Sequence, residues 1–85
     1  MEYKPVLEIL ERITNDRSVP KNVREAVERV KGVLSSKRDE ELKTNEAIVI
    51  LDEIVNDPNL PIHGRTMIWN AVSLLEQIKA KKKKK

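Results

Sequence analysis

Eighty-five residues suffice for one hydrophobic core but not for two independent domains, and the absence of cysteine excludes a disulfide framework, a thiol nucleophile and a thiolate metal site. Charged residues make up 36% of the chain and apolar ones 39%, yet the apolar residues recur with helical period, which argues against disorder. The net charge of +3 is uneven: fourteen acidic residues outnumber eleven basic ones before Lys79, leaving −3 on residues 1–78, and the other six basic residues are Lys79 and Lys81 to Lys85.

The opening residues, Met1-Glu2-Tyr3-Lys4-Pro5, hold no apolar leader, and the longest apolar run, Ala47 to Leu51, is far short of a membrane span; a cytoplasmic location is the expectation. Val6, Leu7, Ile9, Leu10 and Ile13 then trace one face of a first amphipathic helix. The turn Asn15-Asp16-Arg17-Ser18-Val19-Pro20 follows, and Val19, Val23, Ala26, Val27, Val30, Val33 and Leu34 trace a second helix. The polar segment Ser35 to Glu46 leaves the start of the third helix either near Asp39 or after a Thr44 cap. Its stripe is Ile48, Leu51, Ile54 and Val55, and after Asn56-Asp57-Pro58-Asn59-Leu60-Pro61 the fourth stripe is Ile68, Ala71, Val72, Leu75 and Ile78. In both turns Asn15 and Asn56 suit a left-handed C-terminal position, Ser18 and Asn59 suit a helix cap, Pro20 and Pro61 suit a first turn, and Pro58 stops helix three. The final segment, residues 79–85, continues helix four only weakly, because consecutive ammonium groups repel.

Setting Asn15-Asp16 over Asn56-Asp57, an offset of 41 residues, aligns Ile9, Leu10, Ile13, Pro20, Arg24 and Leu34 with Ile50, Leu51, Ile54, Pro61, Arg65 and Leu75. Two copies of one helical hairpin, residues 5–35 and 45–78, explain this register. A closed bundle and two stacked hairpins of an open solenoid both suit the pattern. Two units are fewer than the roughly three a solenoid needs to bury a continuous core, so an all-α, four-helix up-and-down bundle over residues 1–78 is expected, followed by a lysine-rich tail.

Catalytic and metal-binding patterns are scarce. The one histidine, His63, has no acidic residue at helical spacing, and Glu40-Glu41 and Asp52-Glu53 are adjacent pairs that point in different directions. There is no phosphate-cradling Gly loop or nucleophile elbow, and one Tyr with one Trp offers little for stacking on bases. No enzyme activity, cofactor or metal is expected. Asp16, Asp57, Arg24 and Arg65 recur in both hairpins and are assigned to holding the turns. The hairpins differ where Glu8, Lys21 and Glu28 become Val49, Ile62 and Trp69, which makes the second hairpin apolar on two sides. Either helices three and four sit more centrally and bury these three residues as extra core, or the residues are a candidate partner interface with Trp69 as its anchor.

The block Asn56-Asp57-Pro58-Asn59-Leu60-Pro61-Ile62-His63 with Arg65 and Ile68-Trp69-Asn70, preceded by Ile50-Leu51-Asp52-Glu53-Ile54, resembles uncharacterised archaeal protein family 147 over nearly the whole chain except the lysine tail. The resemblance implies a compact four-helix bundle in an archaeal cytoplasm, without an established activity and without catalytic residues to carry over. Gly64 departs from the family pattern, where a better helix former is usual.

The expected function is a non-enzymatic binding module that docks through its second hairpin. Lys79, Lys81, Lys82, Lys83, Lys84 and Lys85 would tether it to RNA or a ribonucleoprotein, such as the ribosome, since a lysine run grips phosphate backbones without reading sequence. The alternative is a homodimeric structural protein whose third and fourth helices form the interface and whose tail has no nucleic-acid role. No membrane partner is expected.

Overall fold

Pro5 sets the backbone for the first turn of α1 (Lys4–Thr14), which in the computed structural model, describing residues 3–83, is followed by α2 (Lys21–Ser35), α3 (Glu40–Ile54) and α4 (Ile62–Lys83). Short connections return each helix antiparallel to the one before it, and the helices pack in a ring, α1 on α2, α2 on α3, α3 on α4 and α4 back on α1. The contact of α1 with α4 closes the ring, which makes the fold a bundle and not an open solenoid. The body measures 40 × 21 × 19 Å.

All four stripes meet on the axis. Val6, Leu10 and Ile13 from α1, Val23, Val27 and Val30 from α2, Ala47 and Leu51 from α3, and Ile68, Ala71 and Leu75 from α4 are wholly excluded from solvent. Ile54, Val72 and Ile78 are only partly buried against this core, while Ala47 and Leu60 join it.

Asp39 starts α3: its carboxylate accepts the backbone N–H groups of Glu41 and Leu42 at 3.1 and 3.3 Å. The turn residues behave differently from the expected caps. Asn15 is right-handed at φ −92°, and among the described residues none, glycine included, has positive φ. Ser18 does not cap α2, and the backbone N–H groups of Ser18 and Asn59 donate to Asp16 Oδ1 at 2.9 Å and Asp57 Oδ1 at 2.8 Å, so the aspartates shape the turns from within. Pro20 stands just before α2, with no side-chain cap. Helix α4 also runs further than charge repulsion suggested, because a helix propagating from a packed core needs no new nucleus, lysine is a good helix former, and cations are favoured at a helix C-terminus.

At the end of the bundle opposite these turns, polar groups close the core. Lys43 is buried, and its ammonium donates to the carbonyls of Leu34 at 3.2 Å and Ser36 at 3.0 Å, satisfying the end of α2, while it lies 5.1 Å from the centroid of the Tyr3 ring. The Tyr3 hydroxyl meets Thr44 Oγ1 at 2.8 Å, which ties the segment before α1 to α3 on the far side of the ring.

The two glycines differ in what surrounds them. A Cβ at Gly64 would lie 2.9 Å from Leu60 Cδ1 and 3.6 Å from Val19 Cγ2, whereas a Cβ at Gly32 meets nothing within 4 Å. Gly64 therefore serves close packing of the α3–α4 turn. Gly32→Ala is expected to raise stability by about 1 kcal/mol, the helix-propensity difference, and Gly64→Ala to raise it by less or lower it. Leu51→Ala should cost about 2–5 kcal/mol, and denaturant midpoints measure all three.

Candidate functional site

The lysine cluster begins on α4. Lys79 is half-buried and Lys81 exposed near the end of α4, and Lys82 and Lys83 continue the same helix; Lys84 and Lys85 lie outside the described residues. At about 1.5 Å per residue the 22 residues of α4 extend about 33 Å, against about 22 Å for the 15-residue α2 and α3, so the cations stand on the longest helix. Beside them, between the start of α1 and the end of α4, is a groove of about 200 Å³ lined by Pro5, Val6, Leu74, Gln77, Ile78 and Lys81.

The three candidate interface residues are all exposed: Val49 at 56%, Ile62 at 80% and Trp69 at 55%. Trp69 is thus outside the monomer's core. Leu42, exposed at 62%, was missed in the sequence because it sits in the polar segment of uncertain structure; once α3 starts at Glu40, Leu42 falls seven residues before Val49 on the same side of α3. Ile62 and Trp69 are likewise seven apart on α4. Other large exposed apolar side chains are absent from the described residues, so α3 and α4 carry the whole set.

At the turn end, the two hairpins hold each other. His63, in the first turn of α4, places Nε2 2.7 Å from Asp16 Oδ2 and 3.2 Å from Ser18 Oγ in the first turn segment. Asn22, in the first turn of α2, donates its amide to Asp57 Oδ2 at 2.9 Å in the second. Residues 22 and 63 are related by the same offset of 41 as residues 16 and 57, so the two contacts are reciprocal. Arg24 and Arg65 bind turn carbonyls instead of the aspartates, Nε of Arg24 to Val19 O at 3.1 Å and Nη2 of Arg65 to Asp57 O at 3.3 Å.

Ser18, His63 and Asp16 have the composition of a nucleophilic triad but not its geometry. A base that activates a hydroxyl uses one ring nitrogen for the nucleophile and the other for the carboxylate. Here Nε2 faces both, and the Ser18 hydroxyl already donates to Asp16 Oδ1 at 2.6 Å. The cluster is a clamp. The Ser18 hydroxyl and backbone N–H, followed by His63, hold Asp16 down to about 2. Asp57 is lowered too, first by the Asn22 amide and then by the Asn59 N–H. Among the described residues no three His, Asp or Glu side chains converge as a metal site would require.

The model of the Uncharacterised protein family (UPF0147) matches residues 2–78. Archaeal relatives of that name include one from Archaeoglobus fulgidus, 48% identical over 73 residues that cover 86% of this chain and 84% of the relative. Another, from Methanocaldococcus jannaschii, is 48% identical over 77 residues, covering 89% and 83%. The crystal structure of a protein of this family from Thermoplasma acidophilum is similar with a TM-score of 0.85 at 36% identity, covering 89% of this chain and 91% of that one. That of MMP1188, a protein of unknown function, gives 0.83 at 43% identity over 89% and 88%.

The lowered Asp16 has a definite sign in acid. Its stabilisation is complete above the ordinary value of 3.8 and is lost as pH falls through about 2. Asp16→Asn, which cannot titrate, should lose stability less steeply than the parent across that interval, as followed by thermal unfolding at successive pH values.

Proposed function

Given that the chain belongs to the uncharacterised protein family UPF0147, we propose that it is a non-enzymatic cytoplasmic module that tethers to RNA within a ribonucleoprotein, such as the ribosome, through the lysine-bearing end of α4. The observation that supports this most is the continuation of α4 through Lys83: the cations start on a helix anchored in the core, while residues 1–78 carry −3 and are themselves repelled by phosphate. Binding is therefore confined to one end of the molecule. Each phosphate neutralised lowers the slope of log affinity against log salt by about 0.7 for single strands and about 0.9 for duplex, so tethering by several lysines is steeply salt-dependent.

A second reading rests on a separate observation, the restriction of Leu42, Val49, Ile62 and Trp69 to α3 and α4. Such a face suits a homodimer or a protein partner docking on the second hairpin, with Trp69 as the anchor.

Sucrose-gradient sedimentation of native lysate at low and moderate salt, comparing the intact chain with one ending at Ile78, tests the first reading. The intact chain should travel with ribosomal particles at low salt, and both moderate salt and shortening should return it to the top of the gradient. If both chains stay at the top at either salt, ribosome tethering is rejected. Light scattering tests the second reading: a dimer that Trp69→Glu converts to monomer supports it, and a parent chain that is monomeric throughout removes the homodimer.

A further inference from the structure

The groove beside the lysines has the makings of a site for one nucleotide. Its floor is apolar, from Pro5 of α1 and Leu74 and Ile78 of α4 with the buried Val6 beneath them, and Gln77 and Lys81 supply its polar groups. Leu74, Gln77, Ile78 and Lys81 follow at i, i+3, i+4 and i+7, so they form one continuous stripe of α4 facing the seam with α1. Pro5, Glu8, Ile9 and Arg12 follow at the same spacing on α1, so the exposed Arg12 shares the side of α1 that carries Pro5 and lies two helical turns, about 10 Å, further along it. Lys81 thus stands in the groove itself, and the side of α1 that leads away from it carries a cation, Arg12, with one carboxylate, Glu8, between Arg12 and Pro5.

We infer that this groove seats one unstacked base of a single-stranded RNA whose backbone runs from the lysines of α4 across Lys81 toward Arg12. The inference rests on the RNA-tethering reading and gives it a substrate class. A base splayed out of a single strand presents an apolar face, which fits the floor, and a hydrogen-bonding edge, which the donor and acceptor of the Gln77 amide can meet. A duplex keeps its bases paired and reaches only the lysines. With no aromatic ring in the groove, the base is held by burial and one amide without strong stacking, so little sequence preference is expected.

Fluorescence anisotropy with a labelled oligouridylate and an RNA duplex of equal length separates the two levels of the argument. The chain ending at Lys81 keeps the groove whole and reports on the tail: its affinity for both RNAs should fall. Three substitutions at exposed positions report on the seam in the full chain. Gln77→Ala should weaken oligouridylate severalfold and leave the duplex unchanged. Arg12→Gln should make the salt slope for oligouridylate shallower by about 0.7, one phosphate contact. Glu8→Gln should tighten oligouridylate. If shortening weakens binding but the three seam variants bind oligouridylate like the parent, the groove inference is overturned and tethering stands. If the seam variants behave as expected and shortening changes nothing, the groove stands and the tail reading falls. A parent chain that binds neither RNA overturns both.

Discussion

Four short amphipathic helices must bury their apolar stripes at once, and the packing of α1 on α4 is what allows it. Without that contact Val6, Leu10 and Ile13 on one side and Ile68, Ala71 and Leu75 on the other would each lose a covering wall. Closure also fixes what lies at each end. Because successive helices alternate in direction, both tight turns fall at one end of the bundle, and the start of α1, the α2–α3 connection and the lysine-bearing end of α4 fall at the other.

Each end is then closed by polar groups chosen for its backbone problem. At the turn end the aspartates take up turn amides and reach across to the opposite hairpin, Asp16 to His63 and Asp57 to Asn22. At the other end the buried ammonium of Lys43 bonds the carbonyl of Leu34 in the last turn of α2 and that of Ser36 just beyond it. Its aliphatic stem runs along the core while the charge is directed to those carbonyls and the Tyr3 face. The apolar middle of the bundle thus ends in hydrogen-bonded layers on both sides.

Two candidate surfaces follow from what these layers leave over. Helices α3 and α4 bury their core stripes and still present four large apolar side chains, and at the places equivalent to three of them, Val49, Ile62 and Trp69, the first hairpin carries Glu8, Lys21 and Glu28. The cations are separated from that face along the axis of α4, since Ile62 and Trp69 are in its first half and Lys79 and Lys81 in its last turns. One helix therefore carries two chemically distinct surfaces, and the groove against α1 belongs to the cationic one.

The sequence by itself determined the number of helices, their stripes and the positions of both turns, because apolar periodicity is a local property of the chain; it marked Val49, Ile62 and Trp69 as departures between the hairpins but left them open between core and surface, and their exposure was decided by the packed helices. The sequence also marked the lysine run and left the aspartates a role in the turns. Tertiary structure decided the rest. Ring against solenoid depended on whether α1 meets α4, a contact between the two ends of the sequence that no local pattern encodes. Lys43, Thr44 and Tyr3 are polar by type and became part of the core only because three separate segments converge there. His63 had no partner on its own helix, and its carboxylate arrives from a turn 47 residues away. Leu42 and the α1–α4 groove stayed hidden for the same reason: whether a side chain is covered depends on which neighbour packs beside it, and that is settled by closure of the bundle.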